Sequence, residues 1–172
     1  MKIDIDSYDC VLLERFLSEV DATIIVVEYN AHFPPPIRFA RLPSEKPDFM
    51  GYFRSDSFGC SIAYAVDLLA SHGFGLLRIS DSDLLFMRTA FFERLGQQIV
   101  NPVDCYREVM LRSHGLIPVE YVREWFFSLD RDTAVERVWA NLTSIQQDTG
   151  HFGPPVFRFG SFFWLRSRGI FV

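Results

Sequence analysis

The segments Lys2-Ile-Asp-Ile-Asp-Ser-Tyr-Asp9 and Ala22-Thr-Ile-Ile-Val-Val27 give the clearest indication of the fold. Ile3 and Ile5 alternate with aspartates, which predicts a short strand. Five apolar residues then recur at helical spacing before a helix end at Asp21, namely Leu12, Leu13, Phe16, Leu17 and Val20. The β-branched run 22–27 lacks alternation, which predicts a strand buried on both faces of a mainly parallel sheet. Strand, helix and strand in this order indicate an α/β fold.

The next part of the chain continues this alternation after an interruption. Residues 32–39 contain three consecutive prolines, which predict an extended excursion at the start of a long loop. A helix is expected over residues 62–69, with Gly73 as its end. Phe74–Ile79 and residues 84–88 then predict two strands of a hairpin, because only a short polar stretch separates them.

Beyond residue 92 the pattern changes, so we predict two units, 1–92 and 93–172. Amphipathic patterns over 121–129 and 135–145 predict a mostly helical extension. The aromatic segment 156–166 predicts a C-terminal strand or hairpin. We expect it either to pair with the free edge of the first strand or to form a separate surface hairpin. An open edge would drive self-association.

Composition excludes several classes of protein. Of the 172 residues 49% are hydrophobic and 16% aromatic, which is sufficient for a packed core. The net charge is −5 without a basic cluster, which argues against a nucleic-acid partner. No apolar run reaches the ~20 residues of a membrane span. Cys10, Cys60 and Cys105 are odd in number and far apart, so we expect no disulfide framework or zinc site and a soluble protein of the cytoplasm.

Acidic side chains follow both of the first two predicted strands. Asp4, Asp6 and Asp9 lie at the end of the first strand, and Glu28 and Asn30 follow the second. Because ligands of open α/β sheets bind outside the carboxyl ends of the strands, these groups can meet in one cleft. Such oxygen ligands suit Mg²⁺, and a carboxylate there can act as a general base. Alternatively, Asp9 is only a helix-start acid, Asp6 a turn residue, and the other two an exposed strand end.

The segment Lys2-Ile-Asp-Ile-Asp-Ser-Tyr-Asp9 resembles the Ile-Asp-Val-Glu-Gly-x-Glu signature of FkbM-type S-adenosylmethionine-dependent methyltransferases. In that family the signature lies at the fourth strand of the sheet. Ile24-Ile-Val-Val-Glu-Tyr-Asn30 is similar to the fifth strand, and residues 58–88 are similar to the closing elements. The resemblance covers residues 1–92. It implies part of a Rossmann-like methyltransferase sheet, mainly parallel with an antiparallel last strand.

The resemblance also implies roles for the acidic residues. Related macrocin-type O-methyltransferases place metal-binding carboxylates at these two strand ends. By this resemblance Asp4, or alternatively Asp6, would bind a metal such as Mg²⁺ together with Glu28 and Asn30. The carboxylates of Asp6 and Asp9 would orient or deprotonate a hydroxyl of a small-molecule acceptor.

Two departures from the family pattern limit the expected activity. Ser7 stands where the family has glycine, and no Gly-x-Gly turn follows an N-terminal strand. We therefore expect the substrate-side half of an FkbM-like O-methyltransferase, with the triple-proline loop at the acceptor pocket. S-adenosylmethionine is not expected to bind this chain alone. The alternatives are a non-enzymatic interaction protein and a truncated gene product.

Overall fold

A computed structural model describes residues 1–35, 37–42, 58–80, 82–112 and 157–160 of the chain. The helical patterns predicted at 121–129 and 135–145 lie outside these residues. Three α-helices and six strands are described, besides two short 3-10 turns at 89–95; the helices and strands are numbered in chain order: β1 Lys2–Ile3, α1 Asp9–Phe16, β2 Ile24–Glu28, β3 Arg38–Arg41, α2 Ile62–Ala70, β4 Phe74–Ile79, β5 Asp83–Arg88, α3 Pro102–Arg112 and β6 Phe157–Gly160.

The main sheet has four strands in the order β1-β2-β5-β4. β1 pairs with β2 in parallel, whereas β5 is antiparallel to both of its neighbours, β2 and β4. β1, β2 and β4 therefore share one direction, and β5 alone runs against them. The protein has the α/β fold that the order of predicted elements indicated, but its open sheet is mixed, with one parallel and two antiparallel strand pairs where a mainly parallel sheet was expected.

Helix α1 connects the two parallel strands and buries Cys10 and Leu13. It ends at Phe16, where the periodic pattern predicted a helix as far as Asp21. The chain turns here, since the amides of Glu19 and Val20 both donate to the Phe16 carbonyl. Val20 is 42% exposed, so its packing does not extend the helix.

Strand β2 is buried less evenly than expected. Ile25 and Val27 are fully buried, but Ile24 is 44% exposed and Val26 is half-buried. The prediction of a strand buried on both faces is therefore wrong for the described part of the protein. β-branched residues favour extended backbone whether or not both faces are covered.

The β4–β5 hairpin and the helix before it confirm the sequence prediction. β4 pairs with β5 around Leu76 and Phe86, which lie opposite each other in register. Gly73 follows α2 with φ +77°, a left-handed conformation that strains any residue with a side chain. The helix itself ends at Ala70, and Gly73 directs the chain into β4 after the turn that follows the helix.

A second, two-stranded sheet joins distant parts of the chain. β6 pairs antiparallel with β3, with Phe39 opposite Phe159. The prediction that the C-terminal segment covers the edge of β1 is therefore wrong for residues 157–160. The partner strand β3 lies within the segment that sequence patterns predicted as loop. The three prolines directly before it indicated an extended loop and not the strand that follows them.

Two cysteines of the core form a disulfide that the sequence analysis did not predict. Cys10 and Cys60 are bonded, with their Cα atoms 5.9 Å apart, and Cys105 is free. The expectation of no disulfide is wrong because fifty residues of sequence separate two cysteines that the fold brings together. The cysteine pattern is thus no argument for a reducing compartment. None of the described helices is both long and apolar enough to cross a membrane.

Candidate functional site

A tight turn after β1 presents two aspartates at the end of the sheet. Asp6 has φ +52°, the left-handed region that aspartate tolerates better than most residues. The Asp9 side chain holds this turn, since Oδ1 accepts the amide of Ile5 at 2.8 Å and Oδ2 accepts that of Ser7 at 3.1 Å. The positive φ of the turn thus occurs at Asp6, so the turn does not require glycine at position 7, where the protein has Ser7. Asp4 and Asp6 both remain exposed.

Asp9 itself is fully buried. Burial raises the pKa of its carboxyl group, while the hydrogen bonds from the Ile5 and Ser7 amides oppose that rise. Both oxygens face backbone donors of the turn, so in this structure Asp9 positions the turn. Its catalytic role stays a prediction.

Glu28 ends β2 and lies directly opposite Asp83, the first residue of β5. Like charges in this cross-strand position destabilise a sheet. Glu28 Oε2 and Asp83 Oδ1 are both buried without a hydrogen-bond partner among the described residues. The end of the β2–β5 ladder therefore holds two carboxylates with unsatisfied acceptor capacity.

The turn after β1 brings further negative charge to this end of the sheet. Carboxylate oxygens of Asp4, Asp6 and Glu28 lie within 4.8 Å of one another, and we call these three residues the acidic cluster. The Lys2 ammonium contacts Asp4 at 3.0 Å and Asp83 at 3.3 Å. Hydrogen bonds to these two carboxylates raise the pKa of Lys2. One exposed cation thus offsets part of the charge of several carboxylates.

The electrostatic result is concentrated at Glu28. Burial first, and then the charges of the neighbouring aspartates with Asp6 foremost, together raise the pKa of Glu28 to about 7. A carboxyl group that titrates near neutral pH can both accept and release a proton there. Strongly perturbed carboxyl groups of this kind are enriched at functional sites.

Asn30 lies beyond β2 but is fully buried, and its side chain bonds backbone atoms. Its amide nitrogen donates to the Phe58 carbonyl at 3.0 Å, and its oxygen accepts the His32 amide at 2.9 Å. These bonds join the turn after β2 to the segment before α2. They account for the burial of Asn30 without a metal, and its role as a ligand stays a prediction.

The structure thus brings Asp4, Asp6 and Glu28 together, while Asp9 and Asn30 support the turns beneath them. Sequence reasoning missed Asp83 and Lys2. Asp83 could not be assigned because its position depends on β5 pairing with β2. Lys2 lies directly before the acidic signature in the sequence. Its positive charge could have indicated that it offsets the negative charges of these aspartates.

Comparison of the chain with protein-family models, with curated proteins and with solved structures gives no match in any of the three.

Proposed function

We propose that residues 1–92 form the acceptor side of an FkbM-like O-methyltransferase site, where a substrate hydroxyl is oriented and deprotonated at the ends of β1 and β2. The observation that carries this proposal is the convergence of the Asp4, Asp6 and Glu28 carboxylates at the carboxyl ends of two adjacent parallel strands. Ligands of open α/β sheets bind at such ends.

The order of the strands supports the same proposal. The sheet implied by the resemblance is mainly parallel with an antiparallel last strand. In this protein β1 and β2 are similar in sequence to the fourth and fifth strands. β5 is antiparallel and lies beside β2, between β2 and β4.

In the proposed reaction the side chains of the acidic cluster have separate tasks. Asp4 and Asp6 are exposed and would accept hydrogen bonds from hydroxyl groups of the acceptor. Glu28, with a pKa of about 7, would take the proton of the reacting hydroxyl. The methyl group would come from the sulfonium centre of S-adenosylmethionine, which no residue of this chain is assigned to bind.

The acidic cluster also fits a divalent cation. Its donors are carboxylate oxygens within 4.8 Å of one another, and Glu28 Oε2 has no partner among the described residues. As an alternative to Glu28 acting as a free base, Asp4, Asp6 and Glu28 would hold Mg²⁺, which would lower the pKa of a hydroxyl bound beside them.

A fusion protein tests the proposal directly. The cofactor-binding strands of an intact FkbM-type enzyme are joined ahead of Lys2 of the full chain, and binding of S-adenosylmethionine is measured by calorimetry. We expect the fusion to bind, whereas the chain alone does not. Methyl transfer from labelled S-adenosylmethionine to the substrate of that FkbM-type enzyme is then assayed.

The matched variants of the fusion are Glu28→Gln and, as a control, Glu93→Gln at an exposed position. We expect Glu28→Gln to keep cofactor binding but to lower transfer by about 10²-fold or more, as for loss of a general base. Equal transfer by the two variants, or micromolar binding of the cofactor to the chain alone, would contradict the proposal.

A further inference from the structure

The disulfide adjoins the residue that holds the turn after β1, where Asp4 and Asp6 of the acidic cluster lie. Cys10 is the second residue of α1 and follows Asp9, the residue that holds the turn after β1. Cys60 lies between Gly59 and Ser61, which caps α2 by accepting the Tyr64 amide. Both cysteines are fully buried. The bond therefore connects the start of α1 to the segment that precedes α2.

This segment, Phe58 to Ser61, contacts both strand-end turns. On one side the Gly59 amide donates to the Ser7 carbonyl at 2.6 Å. A Cβ atom at Gly59 would lie 3.8 Å from Asp9 Oδ2, so the backbone is packed against the side chain that holds the turn. On the other side the Cys60 carbonyl accepts the Asn30 amide at 2.7 Å.

The disulfide thus restrains a region in which like charges oppose one another. Asp4 and Asp6 on the first turn face Glu28 at the end of β2, with oxygens within 4.8 Å. Their repulsion favours separation of the two turns, and it is only partly offset by the exposed Lys2. Hydrogen bonds through Gly59 and Asp9 resist that separation, and the covalent bond between Cys10 and Cys60 adds a restraint that depends on redox conditions.

We propose that Cys10 and Cys60 form a thiol–disulfide switch, which in its oxidised form clamps the turn carrying Asp4 and Asp6 and in its reduced form releases it. The inference concerns the geometry of the turn and does not rest on the proposed methyl transfer.

The oxidant is a low-molecular-weight disulfide such as oxidised glutathione. One cysteine thiolate attacks it, forms a mixed disulfide and releases one thiol. The second cysteine thiolate then attacks the protein sulfur of the mixed disulfide, forms the Cys10–Cys60 bond and releases the second thiol. Two electrons pass from the protein to the oxidant, and the two cysteine protons leave on the two released thiols. Reduction by two thiols reverses these steps.

Amide hydrogen exchange of the folded, full-length protein tests the switch. Exchange is followed by NMR in protein equilibrated with oxidised glutathione and in the same protein after addition of dithiothreitol. Reduction should accelerate exchange of the Ser7 and Gly59 amides by about tenfold or more, because their hydrogen bonds open locally. Amides of the β4–β5 ladder, such as Leu76 and Phe86, should change by less than about twofold.

Two variants complete the design. Cys10→Ala/Cys60→Ala should show the fast exchange of the turn even under oxidising conditions. Cys105→Ser, which removes the free cysteine of α3, should keep the full difference between the two conditions. If the double variant does not fold, the comparison of oxidised and reduced wild-type protein still decides the question.

Four results would overturn the proposal. The cysteines could remain free with oxidised glutathione, as shown by alkylation and mass spectrometry, or the bond could be reduced only in denaturant. Exchange could rise equally throughout the sheet, which would make the bond a general stabiliser. Unchanged exchange at Ser7 and Gly59 would also exclude a clamp on the turn.

Discussion

The two ends of the β2–β5 ladder differ in how far their charged groups are compensated. At the end beyond the Ile24–Met87 pair, the positive charge of Arg88 is well compensated. Its guanidinium group donates to the Ala22 carbonyl at 3.0 Å and to Asp21 at 2.7 Å, and it lies over the Phe74 ring. At the other end Glu28 faces Asp83, and Asp4 and Asp6 add further negative charge. The charges at the Arg88 end are compensated and stabilise the sheet, whereas the carboxylates at the Glu28 end repel one another. Such destabilising repulsion is typical of a functional site.

The turn that supports the acidic end should be the most sensitive position. Asp9→Ala leaves the amides of Ile5 and Ser7 without their acceptor, and we expect a loss of about 2–3 kcal/mol in the free energy of unfolding. Urea denaturation measures it. Asp104→Ala, at an exposed position in the first turn of α3, is the matched control. Equal losses in the two variants would show that Asp9 does not hold the turn.

The compensated end should also lose stability, but less. Arg88→Ala removes the hydrogen bonds at the end of β5 and the contact with the Phe74 ring, at a cost of about 1–2 kcal/mol. The exposed Arg94 lies over the Phe91 ring, so Arg94→Ala is the control and should change stability by less than about 0.5 kcal/mol. If Arg88→Ala costs no more than the control, the contrast between the two ends is lost.

At the acidic end, removal of charge should stabilise the protein. The folded state raises the pKa of Glu28 from 4.5 to about 7, so it binds more protons than the unfolded state between these values. This contribution is complete below pH 4.5 and is lost as the pH rises through 7. Glu28→Gln should therefore be more stable than wild type at pH 8, by on the order of 1–2 kcal/mol once solvent screening is considered.

Thermal unfolding between pH 5 and pH 8 measures this effect of Glu28→Gln. Glu93→Gln removes one charge at an exposed position and serves as the control for a general change in net charge. A Glu28→Gln protein with the pH profile of wild type would contradict the assignment of Glu28 as a carboxyl group strained by its neighbours.

A divalent cation should produce the smallest of these effects. Mg²⁺ or Mn²⁺ at millimolar concentration should raise the melting temperature by about 2–4 °C if the acidic cluster binds it in the folded state only. Asp4→Asn/Asp6→Asn should abolish the rise, while Asp104→Asn should keep it. Without a rise at millimolar metal, the cluster is left with its substrate role alone.

Local patterns predicted what depends on neighbours in sequence. Asp4, Asp6 and Glu28 could be placed together because a strand, a helix and a second strand form a parallel pair whose ends are adjacent. The β4–β5 hairpin followed from a short polar turn between two apolar runs. Helix α3 lies within the extension predicted to be mostly helical, but its own bounds were not predicted, although Asn101, which caps it through the Val103 amide, and Pro102 mark its start.

The remainder depends on pairings across long separations that no local pattern encodes. The insertion of β5 beside β2 places Asp83 against Glu28, and the disulfide closes a separation of fifty residues. The pairing of β3 with β6 joins segments more than one hundred residues apart. Burial of Asp9 and Asn30 likewise follows from the segment 58–60 folding against both turns.

The pKa of the Glu28 carboxyl group tests most directly whether the acidic end is strained by its own charges. Protein labelled with carbon-13 at the glutamate side chains is titrated by NMR between pH 3 and pH 9, and the spectrum of Glu28→Gln identifies the Glu28 signal. We expect a midpoint of about 7. A midpoint near the ordinary glutamate value of 4.5 would contradict both the strain at this end of the ladder and the use of Glu28 as a base.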